Sequence, residues 1–487
     1  MPVPATRRRH LSGDIPSATH DSPPWAVATG GASTLSGQSR HGKVAPTMSR
    51  LAAVARDLYR AGGGYFLENL EDEVITEHGG NVTNDETRGA SGIDNMADVG
   101  GTDDMASLTN NLHDYPVTRS EDYGAKGDGK TDSTKAFEEA WNAACSTKGK
   151  PRIFIPKGQY LVGPLMFKGP CKSGMVLKVK GQVVASTNLN IYKMNWIEFQ
   201  YIDGLVISGG GRFNGQGASA WPHNECKKKR NCKVPPMSLV FSFVTNATIS
   251  KISSIDSKFF HMHVFASKNM KFKFIKIIAP ESSPNTDGIH IAESSNIKVI
   301  DSIIHTGDDC ISIGPGSHNL LIARVFCGPG HGISIGSLGK YANEKDVVGL
   351  KVNNCTLSGT DNGLRIKTWQ SSPSFLKVTD FIFEDIIMKN VYNPIIIDQE
   401  YCPFEHCAEK DPSLVKIKNI KFKNIKGTST SEVAIKLKCS DSHPCEGVEL
   451  SNINLKYNGE NKNAITMSTC VNAHVISNGN VNPKSCI

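Results

Sequence analysis

The sequence predicts an all-β fold, a single-stranded right-handed parallel β-helix (solenoid) with an N-terminal capping helix, and two regularities support this prediction. The first is a repeat. Short alternating segments recur at separations of 23, 27 and 23 residues, starting at Asn246, Asn269, Asn296 and Asn319. A period in this range is typical of a solenoid whose repeats each form one turn. Residues one turn apart then lie about 4.8 Å apart, the spacing of neighbouring strands.

The second regularity is the spacing of polar clusters in the middle of the chain. They are Asn285-Thr286-Asp287-Gly288, Gly307-Asp308-Asp309-Cys310 and Gly330-His331-Gly332. Asp287 precedes Asp309 by 22 residues, and Asp309 precedes His331 by 22. The solenoid repeat therefore predicts that Asp287, Asp308, Asp309 and His331 line one face within a few turns. Paired carboxylates beside a histidine on a rigid scaffold are typical of an acid/base site.

The composition changes near residue 113. The first 113 residues contain 9 lysines and arginines, 14 aspartates and glutamates and no cysteine, whereas the rest contains 45, 33 and all 13 cysteines. Few alternating apolar runs occur in residues 1–113, so we expect a disordered or non-homologous leader, followed by a β-helix domain at 114–487. Within the leader, Met48 to Tyr65 predicts one short amphipathic helix. We find no apolar core of the kind that a signal peptide requires and no stretch that could span a membrane.

The first element expected after the leader is a helix. Gly124 to Thr131 satisfies the phosphate-loop pattern GxxxxGKT, but that pattern requires a preceding buried strand, and Thr118 to Tyr123 is polar. We therefore interpret the stretch as a glycine-rich turn that enters a helix with Asp132 as its N-cap. The apolar face of this helix is expected to cover the open end of the solenoid. It consists of Ala136, Phe137, Ala140, Trp141 and Ala144.

Strands are expected to follow in order along the chain. Apolar or alternating runs lie at 152–156, 158–162, 176–179, 183–184, 202–217, 347–357, 378–391, 417–425 and 448–455. Pro222 to Pro236 interrupts the period and carries the basic run Lys227 to Arg230 between Cys226 and Cys232. This pattern predicts a disulfide-closed basic loop. Its charge is either solvated surface or a grip on an anionic ligand.

The cysteines indicate an oxidising compartment, because secreted chains keep disulfides and cytosolic chains rarely do. Closeness in sequence predicts six pairs: Cys145–Cys171, Cys226–Cys232, Cys310–Cys327, Cys402–Cys407, Cys439–Cys445 and Cys470–Cys486. Cys355 is left over, and its place in an apolar alternating run predicts a buried free thiol. Zinc is the alternative partner for such cysteines, but the chain has no CxxC pair to favour it.

A pair of cations follows the polar clusters. Alternation along Arg365-Ile366-Lys367 puts both charges on the same side of one strand. Two such cations repel each other unless an anion lies between them. Tyr401 follows one turn later and is expected to reach the same face.

The four clusters at 285–288, 307–309, 330–332 and 365–367 together resemble those of the polygalacturonases, glycoside hydrolases built on a right-handed parallel β-helix. The resemblance covers about residues 115 to 487, and Cys327 to Ser337 fits the family's active-site pattern throughout. Gly209 to Gly217 and Ser257 to His261 are most similar to the plant pollen exopolygalacturonases.

The resemblance implies hydrolysis of α-1,4-galacturonosyl linkages by a single inverting displacement, with exo action that releases galacturonic acid. It implies that Asp308 is the general acid and that Asp287 and Asp309 hold the attacking water. Crowding of three carboxylates raises the affinity of at least one of them for a proton. Carboxylates one turn apart are closer than the ~6.5–9.5 Å usual for inverting enzymes. We nevertheless expect inversion, because a water gripped by two aspartates need not follow that distance rule.

The same resemblance implies the substrate contacts. His331 would tune the acid or bind substrate, while Arg365 and Lys367 would pair with a galacturonate carboxylate. Asn285 and Tyr401 are further expected contacts. The implied partner is pectin, without a metal, another cofactor, nucleic acid or a membrane, and the implied protein is a secreted, cell-wall monomer.

Alternative functions remain open from the sequence. An endo-acting polygalacturonase would share the chemistry, and Pro222 to Pro236 is the candidate barrier that would decide between exo and endo action. Pectate lyases share the scaffold but eliminate with calcium and a basic residue. A rhamnogalacturonan hydrolase fits less well, because Arg365 and Lys367 suit a galacturonate carboxylate. The non-enzymatic alternative is an inactive wall-binding or allergen-like β-helix.

Overall fold

The computed structural model describes residues 117–226, 232–403, 407, 411–461 and 463–486. The predicted leader at 1–113, its helix from Met48 to Tyr65 and the basic run from Lys227 to Arg230 lie outside the described residues. No helix among the described residues is long and apolar enough to cross a membrane.

The chain winds through two sets of parallel strands. One set of 20 strands comprises β1 (Val117–Arg119), β2 (Asp128–Asp132), β3 (Arg152–Ile155), β4 (Gln159–Val162), β6 (Met175–Val179), β7 (Gln182–Ala185), β9 (Leu205–Ser208), β10 (Arg212–Asn214), β12 (Thr245–Ser250), β13 (Ser253–Ile255), β15 (Lys268–Lys273), β16 (Lys276–Ile278), β18 (Ser295–His305), β20 (His318–Cys327), β22 (Val347–Asn353), β23 (Thr356–Ser358), β25 (Lys377–Val391), β27 (Lys416–Ser429), β29 (Cys445–Tyr457) and β31 (Ala473–Asn482). The other set forms one 11-stranded sheet of β5 (Leu165–Lys168), β8 (Asn195–Gln200), β11 (Met237–Ser242), β14 (Met262–Phe265), β17 (Ile289–Ala292), β19 (Ile311–Ile313), β21 (Ile333–Leu338), β24 (Asn362–Trp369), β26 (Asn393–Tyr401), β28 (Val433–Lys438) and β30 (Met467–Val471).

Each strand pairs with the strand one turn later rather than with its neighbour in sequence. The 11-stranded sheet runs in the order β5, β8, β11, β14 and onwards to β30, with parallel register throughout the central pairs. Stacking of successive turns in this way is the architecture of a parallel β-helix. The fold class and the solenoid repeat that the sequence predicts are therefore confirmed.

The core is a continuous stack of apolar side chains inside the turns. Every second side chain of a strand points inward, so apolar side chains at equivalent positions of successive turns pack on one another. Phe199 and Phe241 stack with ring centroids 5.3 Å apart, and Phe241 meets Phe272 edge to face at 5.7 Å. Full burial of one such side chain contributes about 1.5–3 kcal/mol.

The predicted capping helix, α1, spans Thr134–Cys145 and buries the five predicted side chains against the first turns. Trp141 packs on Phe167 at 4.6 Å, and its Nε1 donates a hydrogen bond to the Lys168 carbonyl at 3.1 Å. Among the described residues, short 3₁₀ helices lie at Ser120–Tyr123, Leu189–Ile191, Gly217–Ser219 and Trp221–His223.

The entry to this helix differs from the prediction in two ways. Asp128–Asp132, expected within a turn, forms strand β2, because its backbone pairs with β4 even though its side chains are largely exposed. The helix begins at Thr134 with Ser133 in the N-cap position, not Asp132. Asp132 keeps a capping contact, since its Oδ1 accepts a hydrogen bond from the Thr134 backbone N–H at 2.9 Å.

The asparagines that mark the repeat form a ladder along the outside of the solenoid. Nδ2 of Asn269, Asn296 and Asn319 donates to Oδ1 of the asparagine one turn earlier, at 3.0, 2.9 and 2.6 Å. All four asparagines, Asn246 included, have positive φ, between 54° and 57°. Asparagine tolerates this left-handed conformation better than most residues. The ladder therefore explains why the same residue type recurs at each turn.

All six predicted disulfides are present. Cys355 is a buried free thiol, as predicted. Burial raises its pKa to about 11. The predicted pairing is therefore confirmed completely.

Candidate active site

The candidate site lies on the 11-stranded sheet, where four consecutive strands place one outward residue each in a single row. His290, Ser312, Ser334 and Arg365 are paired in register across β17, β19, β21 and β24. Isoleucines or leucines flank each of them and point into the core, which fixes the polar side chain outward. The turns that precede three of these strands carry the predicted carboxylates and histidine.

Asp309 is held by two cations. Its Oδ1 accepts hydrogen bonds from Arg365 Nη2 and Ser334 Oγ, both at 2.7 Å, and its Oδ2 accepts one from Lys367 Nζ at 2.9 Å. Burial opposes ionisation of Asp309, but Lys367 and Arg365 outweigh it and lower the pKa of this carboxyl well below its usual range. The anion expected between the two cations is thus a carboxylate of the protein itself.

Asp287 has the opposite electrostatic surroundings. It is 5% exposed, and its Oδ2 accepts one hydrogen bond, from Ser312 Oγ at 2.7 Å. Burial, followed by the negative charges of Asp308 and Asp309, raises the pKa of Asp287 well above its usual range. Asp287 therefore takes up a proton far more readily than Asp309.

Asp308 lies between polar groups from three directions. Its Oδ1 accepts a hydrogen bond from the Asp309 backbone N–H at 2.8 Å and lies 3.0 Å from His331 Nδ1. Asn285 Nδ2 is 3.5 Å from its Oδ2. Asn285 Oδ1 in turn accepts a hydrogen bond from Asn224 Nδ2 at 2.9 Å, which ties the site to the loop that begins at Pro222.

His331 is held between two carboxyl groups. Burial disfavours its charged form, but attraction to Asp308 and Asp309 outweighs burial and raises its pKa. On the far side of the ring, Nε2 lies 3.4 Å from Asp361 Oδ2. The imidazole therefore bridges a buried carboxyl and an exposed one.

The predicted cations and Tyr401 line the same cleft. Lys367 Nζ lies 5.4 Å from the centre of the Tyr401 ring, and that ring packs edge to face on Trp369 at 6.0 Å. The structure thus brings all eight predicted site residues to one cleft, seven along its walls and Asn285 in contact with Asp308.

Comparison with known proteins identifies the family. The family model described as glycosyl hydrolases family 28 matches residues 145–486. This chain belongs to family 28 of the glycosyl hydrolases.

Individual family 28 relatives agree with the resemblance found in the sequence. An exopolygalacturonase of Zea mays is 48% identical over 365 residues, which cover 74% of this chain and 88% of the relative. A polygalacturonase of Gossypium hirsutum is 47% identical over 365 residues, covering 75% and 89%. The predicted membership of the polygalacturonase family, with plant relatives, is confirmed.

A solved structure supports the fold of this family 28 member. An exopolygalacturonase from Thermotoga maritima matches with a TM-score of 0.59 at 20% identity, covering 75% of this chain and 92% of its own. At this identity the likeness concerns the fold alone, and the predicted right-handed parallel β-helix is confirmed.

Sequence reasoning missed several polar residues of this family 28 site. Ser312 and Ser334 each donate to an aspartate 25 residues earlier, and His290 and Arg365 contact those serines. The signal was present in Ile289-His290-Ile291, Ile311-Ser312-Ile313 and Ile333-Ser334-Ile335, which put one polar residue at the same outward position on successive turns. Asp361 and Asn224 are contacts that no repeat or motif marks.

The possibility of a metal in this family 28 site rests on Asp308, Asp309 and His331, whose ligand atoms lie within 4.8 Å of one another. These groups are already directed at protein partners. Asp309 Oδ1 accepts hydrogen bonds from Arg365 and Ser334, and Oδ2 accepts one from Lys367. His331 Nδ1 contacts Asp308. Two cations on the central carboxylate make this arrangement a poor fit for a divalent ion.

Proposed function

We propose that this family 28 enzyme is an exo-acting polygalacturonase that hydrolyses α-1,4-galacturonosyl linkages of polygalacturonic acid and releases galacturonic acid. The observation that carries the proposal is the clustering of three carboxyl groups in different electrostatic surroundings beside Arg365 and Lys367. A glycosidic bond needs one group that gives a proton and one that activates water, and this cluster can supply both.

The proposed reaction is a single displacement. Asp308 gives its proton to the glycosidic oxygen as the bond from that oxygen to the anomeric carbon breaks. Water held by Asp287 and Asp309 attacks the same carbon from the opposite face, and its proton passes to Asp287. Attack on the opposite face inverts the anomeric configuration. Asp309, held as an anion by its two cations, orients the water without taking the proton.

The raised pKa of Asp287 supports its role as the final proton acceptor, but it also makes Asp287 a rival for the role of acid. We favour Asp308 as the acid, because Asp287 shares the water with Asp309 in the proposed arrangement and the family resemblance gives the acid role to the first of the paired aspartates. The proposal requires the single proton to reside on Asp308 when substrate is bound.

Substrate recognition is proposed to use the remaining donors of Arg365 and Lys367. Asp309 occupies Nη2 of Arg365 and one proton of Lys367, which leaves further N–H groups for a galacturonate carboxylate. Both side chains line the cleft beside Tyr401, whose ring offers an apolar surface for a sugar.

Exo action is supported by the residues that line and flank the cleft near Asp287. Phe260 lines the cleft, and its ring centroid lies 5.0 Å from that of His290. It belongs to an apolar cluster with Phe259, Met237 and Val240. Val234, near the end of the loop from Pro222 to Pro236, packs on this cluster, and Asn224 at the other end contacts Asn285. Both described ends of the loop therefore meet the site. A barrier here would leave room for a terminal sugar only.

We further propose that the enzyme is secreted and acts in the plant cell wall as a monomer, with residues 114–487 as its catalytic domain. Six disulfides support an oxidising location. The plant exopolygalacturonases among its relatives support the substrate, although expression in pollen rests on the sequence resemblance alone.

The test is product analysis on polygalacturonic acid with EDTA present, comparing the full chain with its Asp308→Asn variant. Monogalacturonate from the first time points, absent in the variant, is the expected result. Mixed oligomers from the start would make the enzyme endo-acting. Unsaturated products that require calcium would mean elimination and would refute the proposed hydrolysis.

A further inference from the structure

Asp287 is the end of a chain of three side chains, and the proposed reaction does not yet use the other two, Ser312 and His290. Ser312 Oγ lies 2.7 Å from Asp287 Oδ2 and 2.7 Å from His290 Nδ1. His290 and Ser312 are register partners on β17 and β19, so the rigid sheet fixes the spacing between them. The other oxygen of Asp287, Oδ1, has no hydrogen-bond partner in the described part of the chain.

The direction of the hydrogen bonds follows from the number of protons. A serine hydroxyl has one proton to donate. When Asp287 is ionised, Ser312 must donate to it, and Ser312 must accept from His290. This requires the neutral imidazole to carry its proton on Nδ1. Burial lowers the pKa of His290 to about 4, so the ring is neutral near pH 5 and above.

A similar chain of three side chains lies one turn further along and differs in its nitrogen donor. Asp309 accepts from Ser334, and Arg365 Nε donates to Ser334 Oγ at 2.9 Å. Both aspartates are therefore backed by a serine and a nitrogen donor. The donor behind Asp309 is a permanent cation, and the donor behind Asp287 is a neutral ring. Of these two aspartates, Asp287 is therefore the one left able to gain a proton during the reaction.

We propose that His290 is a positioning residue that acts through Ser312 to fix Asp287 Oδ2, so that Oδ1 accepts the proton of the attacking water. This inference rests on the proposed hydrolase function. It adds a reason for the neutral donor, because a cation at this position would hold Asp287 ionised as Arg365 and Lys367 hold Asp309.

The surroundings support a fixed imidazole. Its ring lies 5.0 Å from that of Phe260 and 5.2 Å from that of His263. The charged or titratable groups that face His290 are His263, Asp309 and Lys367. Those that face Asp287 are Asp308, Asp309 and Lys367. Variants at His290 and Ser312 leave all of these charges in place.

The first test compares His290→Asn with His290→Gln in the full chain. The Asn amide can put an N–H close to the position of Nδ1, whereas the longer Gln side chain mimics Nε2. We expect His290→Asn to stay within about 3-fold of wild type. We expect His290→Gln and Ser312→Ala to lose about 10- to 100-fold in kcat, a loss typical of groups that orient a functional side chain, with little change in KM.

The pH profile separates positioning from simple packing. Loss of the Ser312 hydrogen bond removes an interaction that lowers the pKa of Asp287, so that pKa rises. A base must be ionised to work, so the acid limb of kcat/KM should move to higher pH in Ser312→Ala and His290→Gln. Equal activity of the Asn and Gln variants, or an unmoved acid limb in variants that unfold at the wild-type temperature, would overturn the proposal.

The second test does not depend on activity. Long-range ¹H–¹⁵N spectra of histidine-labelled protein distinguish the two neutral tautomers, and the His290→Asn spectrum assigns the signal. We expect the Nδ1–H form at the pH of activity. On acidification Asp287 becomes the donor, and the ring should switch to Nε2–H at the pH of the acid limb. An Nε2–H ring at the pH of activity would overturn the relay. Wild type that fails to hydrolyse polygalacturonate would instead refute the proposed function.

Discussion

At the scale of single residues, the three aspartates of the site have different surroundings. Two cations and a serine hold Asp309, one serine contacts Asp287, and a histidine, a backbone N–H and an asparagine surround Asp308. Because opposite charge favours ionisation and burial beside like charge disfavours it, the three carboxyls cannot share one role.

The roles of the aspartates can be separated with a substrate whose leaving group needs no proton. On polygalacturonate, Asp308→Asn should lose at least about 10²- to 10⁴-fold, the usual contribution of a general acid. On α-galacturonosyl fluoride it should recover most of that loss, because fluoride leaves unprotonated. Asp309→Asn should remain impaired on both substrates. Initial rates on the two substrates provide the measurement. Recovery by Asp287→Asn instead of Asp308→Asn would exchange the roles of these two residues.

The raised pKa of His331 predicts a pH-dependent contribution to stability. A group whose pKa is higher in the folded state stabilises the fold fully below its unfolded value of about 6.5. That contribution is lost as the pH rises through the folded value. The unfolding free energy of wild type should therefore exceed that of His331→Gln at pH 5 by more than at pH 9.

Denaturant titrations at the two pH values measure this difference. His318→Gln is the matched control, since His318 has no carboxylate partner among the described residues. A constant gap between wild type and His331→Gln would mean that the ion pair with Asp308 does not stabilise the fold.

Sequence alone predicted the candidate residues that stand in recognisable clusters, and it missed those that strand register brings into contact with them. Asp287, Asp308, Asp309 and His331 stand in motifs with an even spacing. Ser312 and His290 are ordinary residues between isoleucines, and their meaning depends on which strands are neighbours. Asn224 is 61 residues from its partner Asn285, a contact that only the folded chain reveals.

At the scale of elements, the asparagine ladder combines backbone conformation with hydrogen bonding. Asn269 has a φ of 57° and bonds to both Asn246 and Asn296. Asn269→Ala should lower the free energy of unfolding in two ways. Alanine in this conformation adds about 1–2 kcal/mol of backbone strain, and loss of the hydrogen bonds costs about 1 kcal/mol. Asn269→Gly should lose mainly the hydrogen bonds, since glycine adopts this φ without strain.

Denaturant unfolding of these two variants measures the partition. The expected order of stability is wild type, then Asn269→Gly, then Asn269→Ala. Equal losses in both variants would mean that strain contributes nothing at this position. No loss in either would mean that the ladder does not stabilise the solenoid.

Element prediction succeeded where side-chain patterns reflect burial and failed where backbone pairing decides. The apolar face of helix α1 was read correctly because its five residues face the core. Strand β2 has the sequence Asp-Gly-Lys-Thr-Asp, which no pattern marks as a strand. It exists because the edge of β4 offers hydrogen bonds at the first turn.

At the scale of the whole molecule, the loop from Pro222 to Pro236 should determine whether the enzyme cleaves polygalacturonate at the end of the polysaccharide or within it. Cys226 and Cys232 have Cα atoms 4.8 Å apart, close to the ~3.8 Å of adjacent residues. Residues 227–231 can therefore be removed, with both cysteines changed to glycine, at little cost to the scaffold. Products from polygalacturonate should then shift from single sugars towards a ladder of oligomers.

A charge variant of the same loop is the control. Changing Lys227, Lys228, Lys229 and Arg230 to glutamine keeps the length, so products should remain single sugars. A higher KM in this variant would favour a grip on the anionic substrate, and an unchanged KM would favour a solvated surface. Unchanged products after trimming would exclude residues 227–231 as the barrier.

The global architecture was predictable because the sequence of a solenoid repeats a similar residue pattern at each turn. The asparagine period and the 22-residue spacings reflect turn length, and turn length fixes which residues are neighbours. The lining of the cleft was only partly predictable, since Phe260 lines it and belongs to an apolar cluster that Val234 joins from a loop that follows no repeat.

The buried thiol of Cys355 bears on how long the protein keeps its covalent structure. An odd number of cysteines leaves one thiol that could attack any of the six disulfides, and such exchange proceeds through the thiolate. With a pKa of about 11, Cys355 has almost no thiolate at neutral pH, and its side chain is buried in the core. The turn that hides it therefore acts as a safeguard against scrambling. A substitution that exposes Cys355 would therefore allow disulfide exchange before the protein unfolds.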